Sequence, residues 1–291
     1  MSPTAQSILA EWSAPVVINV TILLTALCYL RGWFSLRFAF PAFFPAWRLV
    51  AFLSGLFSLW IAIGSPLSAF DEASLSVHMV QHILLMLAIP PLVLLGAPAL
   101  PLLHGLPQWF VRITLGPFLR WAPVQSLGTL FTHPLVCWIL AAIALVLWHI
   151  PSAFELALRF DSWHEIEHAC FLSTSLLFWW PVIQPFPSEA RWPRWSMPLY
   201  LFLGMFPSGA VGAFLVFCDR VLYRSYDEAP RLFGMTVLED QILAGSLMWV
   251  FGIFACIIPA VFITLKLLSP REIQVNSSGL ASPPGLPTQM R

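Results

Sequence analysis

Charged residues are scarce in this chain: Asp, Glu, Lys and Arg together make up 10% of the sequence, against 59% hydrophobic residues. A soluble protein of this size keeps a polar shell, so this shortage excludes a soluble globular fold and requires lipid to solvate much of the surface. No basic patch is present to meet phosphate, which argues against a nucleic-acid partner. The five cysteines, Cys28, Cys137, Cys170, Cys218 and Cys256, lie scattered in apolar runs with no CxxC pair. A paired-thiol metal or redox motif is therefore missing, and most of these residues read as small hydrophobes. The first fifteen residues lack a basic segment, so no cleavable signal peptide is expected. Neither a soluble domain nor a long repeat is legible.

What is abundant is long apolar sequence, with a mean hydropathy of +0.82. A helix needs about 20 mostly apolar residues to cross the hydrocarbon core. Seven such segments are expected, at about 14–32, 47–64, 75–96, 134–151, 164–184, 198–218 and 240–268. The fold class is an all-α integral membrane protein, a seven-transmembrane-helix bundle forming one domain over 1–268. The stretch 105–125, with Arg112 and Arg120 among apolar residues, reads as an interfacial helix or loop. From 269 to 291 the Pro/Ser/Gly-rich sequence reads as a disordered cytoplasmic tail.

Basic residues set a direction. Arg31, Arg37, Arg48, Arg112, Arg120, Arg191, Arg194, Lys266, Arg271 and Arg291 fall on one side, and Arg159, Arg220, Arg224 and Arg231 on the other. The positive-inside rule then places the N-terminus outside and the C-terminus in the cytoplasm. Acidic residues divide the opposite way, with Glu189 and Glu272 inside and the remainder outside. An acidic outer face can attract cations or a basic partner, or be only a solvated rim.

Topology also sorts the histidines. His104 and His133 lie alone on the cytoplasmic side and read as structural. His78 and His82 occupy the outer turns of the third span, His149 the outer end of the fourth, and His164 and His168 the first turns of the fifth. Residues four apart share a helix face, so each HxxxH pair can present two imidazoles to one cation. Ionisable groups near lipid face the bundle interior and usually mark function. Five histidines at one depth thus predict a metal site, because imidazole binds borderline transition metals well.

Around them stand further candidates as ligands or supporting groups: Glu165, Glu167, Gln81, Asp240 and Gln241. A carboxylate here can fix an imidazole tautomer or bind directly, and Asp240 can equally serve a helix N-terminus. Met79 lies between the histidines of the first pair and Met86 continues that face four residues after His82; thioether suits Cu(I), although Met also fills helix packing. Cys218, at the outer end of the sixth span, can offer a thiolate.

The pentapeptide His164-Glu165-Ile166-Glu167-His168 fits both H-E-x-x-H and H-x-x-E-H, patterns in which two histidines bind zinc and a glutamate activates water. A catalytic zinc keeps three protein ligands and an open position, whereas five imidazoles suggest storage, transfer or several ions. An intramembrane zinc hydrolase is thus the alternative to a carrier, and a b-type haem protein a third reading.

The blocks HMVQHILLMLAIPPLVLLGAP, W-H-I-P at 148–151, HEIEHACFLSTSLLFWWPVI at 164–183 and E-D-Q-I-L-A-G-S-L-M-W at 239–249 resemble the CtaG-type cytochrome c oxidase assembly factors of bacteria. The similarity covers roughly residues 45–268, with the order of blocks kept. The resemblance implies a seven-helix protein of the bacterial inner membrane, without turnover chemistry of its own. It also implies that copper is bound on the periplasmic side, received from a periplasmic donor and passed to a haem–copper oxidase subunit. His78, His82, His149, His164, His168, Asp240 and Gln241 match the family's distinctive polar positions.

Overall fold

The computed structural model describes residues 3–188, 192–232 and 234–269, and every regular element among them is helical. The tail expected from 269 onward, with Arg271, Glu272 and Arg291, lies outside the described residues except for Ser269, as do Glu189 and Arg191.

In lipid every backbone N–H and C=O must be satisfied within the protein, so apolar runs long enough to cross must coil into helices. The elements are α1 (Pro3–Glu11), α2 (Val16–Ala39), α3 (Ala46–Ile63), and α4 (Leu75–Ile83), which continues through a π turn at Leu84–Ala88 into α5 (Ile89–Leu95). Then follow α6 (Ala99–Gly105), α7 (Gln108–Phe110), α8 (Gly116–Arg120), α9 (Ala122–Phe131), α10 (Pro134–Trp148), α11 (Pro151–Arg159), α12 (Asp161–Ile183), α13 (Met197–Phe217) and α14 (Val237–Leu268). Among the described residues six helices are long and apolar enough to cross a membrane: Val16–Ala39, Ala46–Phe70, Leu75–Leu95, Asp161–Ile183, Arg194–Phe217 and Val237–Leu268. The chain is a multi-pass membrane protein.

The remaining crossing differs from the single helix expected at 134–151. α10 has 15 residues, a length of about 22 Å, which falls short of a hydrocarbon core of about 30 Å. It qualifies only together with α9, from which it is bent by 72°. Pro134 starts the second piece, and a proline cannot donate into the preceding turn. The 105–125 stretch is a run of short helices, with Pro107 at the N-cap of α7 and prolines opening α8 and α9.

Close packing of α13 on α14 follows from small residues. A Cβ on Gly212 would lie 2.8 Å from the Gly245 carbonyl oxygen, and Ser208 Oγ donates to the Met248 carbonyl at 3.2 Å. This is the small-residue route by which membrane helices approach one another.

The third span breaks where Pro90 and Pro91 lead one to expect, and the structure shows how the break is accommodated. Pro90 has no N–H to return to the Met86 carbonyl four residues back. The Trp179 indole Nε1 of α12 donates to that carbonyl instead, at 3.0 Å. The π turn contains Met86 and follows directly on the α4 turn that carries His82; such turns are frequent at functional sites.

Candidate metal centre

α4, the end of α10 and the start of α12 converge on one chamber walled by Phe154 and Phe171. His78 and His82 share the buried face of α4, with ring centroids 4.3 Å apart. His164 and His168 pair likewise on α12 at 4.2 Å. The pairs meet: His78 stacks on His164 at 5.1 Å, and His82 lies 5.7 Å from His168. His149 closes the group, 6.0 Å from His82. The structure thus brings together all five histidines singled out from the sequence, while His104 bonds the Leu100 carbonyl and His133 meets Trp192, both elsewhere.

Glu167 completes the chamber. Its carboxylate is fully buried, with Oε1 3.7 Å from His82 Nε2 and Oε2 3.9 Å from His78 Nε2. Two ligands on a tetrahedral ion with bonds of about 2.0–2.1 Å stand about 3.4 Å apart, so these groups are slightly open around a common centre. One ligand atom from each of His78, His82 and Glu167 lies within 4.8 Å of the others. A second set, Asp71, His78 and His164, meets the same test.

The donor chemistry fits a cation. The Nε2 atoms of all five histidines and both Glu167 oxygens are buried without a hydrogen-bond partner. Most buried polar groups in folded proteins are paired, so this many unpaired lone pairs gathered in one chamber fit an ion site. His149 is set for this by its other nitrogen. Nδ1 faces the Leu145 carbonyl at 2.7 Å; a carbonyl only accepts, so Nδ1 carries the proton and Nε2 keeps its lone pair for the chamber.

The supporting residues come from elements far along the chain. The Asp240 carboxylate accepts the Leu75 amide at 2.7 Å, the Ser76 amide at 3.2 Å and the Ser74 hydroxyl at 3.1 Å. It caps the N-terminus of α4, so its place beside the site is that of a group supporting the helix that carries His78 and His82. The start of α14 itself is capped by Thr236 and Glu239 in a reciprocal box. Gln241 accepts the Leu222 amide at 2.8 Å and donates to the carbonyls of Leu215 and Arg220, so it pins the loop after α13. From that loop the Tyr223 hydroxyl donates to the His149 carbonyl at 3.0 Å, and Tyr226 to the Asp71 carbonyl at 2.9 Å.

Other candidates lie apart. Glu165 is exposed, because packing turns its neighbour Glu167 inward instead. Cys218 ends α13, its N–H bonded to the Phe214 carbonyl, and belongs to neither ligand set. Met79 is buried in the apolar core, and Met86 lines a small apolar cavity with Met248 and Cys256. Both methionines serve packing. Gln81 is fully buried, its amide beside the Asp71 carboxyl but too loosely placed for a full hydrogen bond.

Asp71 is the residue that sequence reasoning passed over. It follows the 3-10 turn Pro66–Phe70, is 96% buried, and sets Oδ2 3.9 Å from His164 Nε2. Burial raises its carboxyl to about 7, with the adjacent Glu72 adding to the rise.

The sequence profile of the cytochrome c oxidase caa3 assembly factors (Caa3_CtaG) matches residues 27–269. The chain belongs to this family. Relatives of the family member described here include uncharacterized proteins of Mycobacterium bovis and Mycobacterium tuberculosis, each 29% identical over 260 residues, which is 85% of this chain and 38% of theirs. One from Mycobacterium leprae is 24% identical over 89% of this chain and 39% of its own. The chain therefore spans about two fifths of the length of the curated relatives it matches. No solved structure matches it.

Proposed function

We propose that this chain is a cytochrome c oxidase assembly factor that holds a copper ion, as cargo, among His78, His82, His149, His164, His168 and Glu167. It would pass the ion to a haem–copper oxidase subunit without turnover chemistry. The reading sets the chain in the bacterial inner membrane, with its N-terminus and the centre on the periplasmic side and its C-terminus in the cytoplasm. A periplasmic donor would supply the copper. One observation carries it: five unpaired Nε2 atoms and an unpaired carboxylate converge in a single buried chamber. Imidazole suits Cu(II) and other borderline ions, and the family supplies the case for copper. The rings touch one another and the two phenylalanines, which favours an ion over a haem plane between them.

Metal analysis of the purified chain tests this reading. Copper should co-purify or load stoichiometrically, and the H78A/H82A double variant should lose it. A wild-type chain that stays copper-free after loading would refute the proposal.

A zinc hydrolase is the second reading, favoured by the position of Glu167. With His164 and His168 it satisfies H-x-x-E-H, and its carboxylate stands where a water-activating base would. Zinc in place of copper, with peptide or ester cleavage lost in E167Q, would select it.

A further inference from the structure

The second ligand set lies between the chamber and a solvent-filled cleft. Asp71 belongs to both. Its carboxylate approaches His164, and the residue also lines a cleft of about 590 Å³ with Trp12, Ser68, Glu72, Ser225 and Glu228. Three carboxylates and no Lys or Arg stand among the described residues of that lining. Exposure falls along the same line: Glu72 and Glu228 are exposed, the His164 side chain is 20% exposed, and His78 and Glu167 are fully buried. His78 has both ring nitrogens unpaired and belongs to both ligand sets.

We propose that Asp71, His164 and His78 form an outer cation site at the floor of this cleft, through which an ion reaches the inner set of His78, His82 and Glu167. The proposal rests on reading the chamber as a metal centre and adds the way in. Acidic walls over a low-dielectric floor concentrate a divalent cation, and such focusing raises association rates by about 10- to 1,000-fold. The ion then exchanges ligands one at a time. It leaves the Asp71 carboxylate and the His164 imidazole for His82 and Glu167 while His78 stays bound, so it is never bare in the apolar interior. No electron is transferred and the oxidation state is unchanged; a proton held on either carboxyl is displaced by the ion and leaves through the cleft.

Stopped-flow absorption of copper(II) uptake by the full chain in detergent tests this, alongside the amount bound at saturation. D71N should take up copper about tenfold or more slowly, because it lacks the entry carboxylate while His78, His82 and Glu167 remain. The E72Q/E228Q variant, altered only at exposed positions, should fill completely, with slower uptake at low salt and a flatter salt dependence. This second variant decides the matter if D71N does not fold. Wild-type uptake rates in the variants would overturn the proposal. So would a D71N chain that folds yet binds no copper, since Asp71 would then be an obligatory ligand of a single site. Failure of the wild-type chain itself to take up copper would instead overturn the metal centre.

Discussion

Asp240 of α14 accepts the backbone amide of Leu75 at the first turn of α4, so the last crossing helix fixes where the third one begins. His78 lies one turn further on. A carboxylate at a helix N-terminus satisfies otherwise orphaned amides and complements the dipole.

Replacing Asp240 by Ala leaves the Leu75 and Ser76 amides and the Ser74 hydroxyl without that acceptor. A loss of about 1–3 kcal/mol is expected, seen as a lower thermal midpoint in detergent. Bound metal in the folded fraction should keep the wild-type absorption spectrum. A changed spectrum at undiminished stability would make Asp240 a ligand after all.

Tyr223 acts on the centre through the backbone of His149. Removing its hydroxyl in Y223F should leave the fold standing but weaken metal binding by about tenfold, at the low end for groups that orient ligands. Competition against a chelator of known affinity reads this directly, and an unchanged constant would remove Tyr223 from the support of the site.

The two glutamates of the pentapeptide should part company. E165Q is expected to match wild type in metal content and affinity, because Glu165 faces outward. E167Q loses the buried carboxylate that faces His78 and His82 and should bind more weakly. Equal effects in titrations of the two variants would contradict the geometry.

Trp179 offers a test of the helix break. In W179F the Met86 carbonyl loses its donor inside the bundle, at a cost of about 1–3 kcal/mol. The expected result is a lower melting midpoint with metal stoichiometry kept. No change in midpoint would show that another donor satisfies that carbonyl.

These residues also mark how far the sequence could be read. The crossings were legible because about 20 apolar residues in lipid leave the backbone little choice. The histidines were legible because spacing of four and a common depth are one-dimensional properties. The choice between Glu165 and Glu167 was not. At 100° per residue each stands about 80° from the midline of the His164 and His168 face, on opposite sides. Only the neighbours of α12 decide which turns inward. Asp71 was hidden for a related reason. It sits in a connection with no periodicity, and its burial depends on a tyrosine 155 positions away. The commitment of Asp240 to α4 is likewise a contact between sequence-distant segments. The fourth crossing was read as one helix because its length shortfall was small and hydropathy carries no sign of a bend.

The clamps on the chamber have a consequence for biosynthesis. All five histidines and Glu167 have been synthesised by residue 168, yet the groups that set them come later: Tyr223 on His149, Tyr226 on Asp71, Gln241 behind that loop, and Asp240 at the start of α4. A nascent chain exposes its imidazoles before it can organise them. The contacts that clamp the chamber are therefore completed only when α14 is in place.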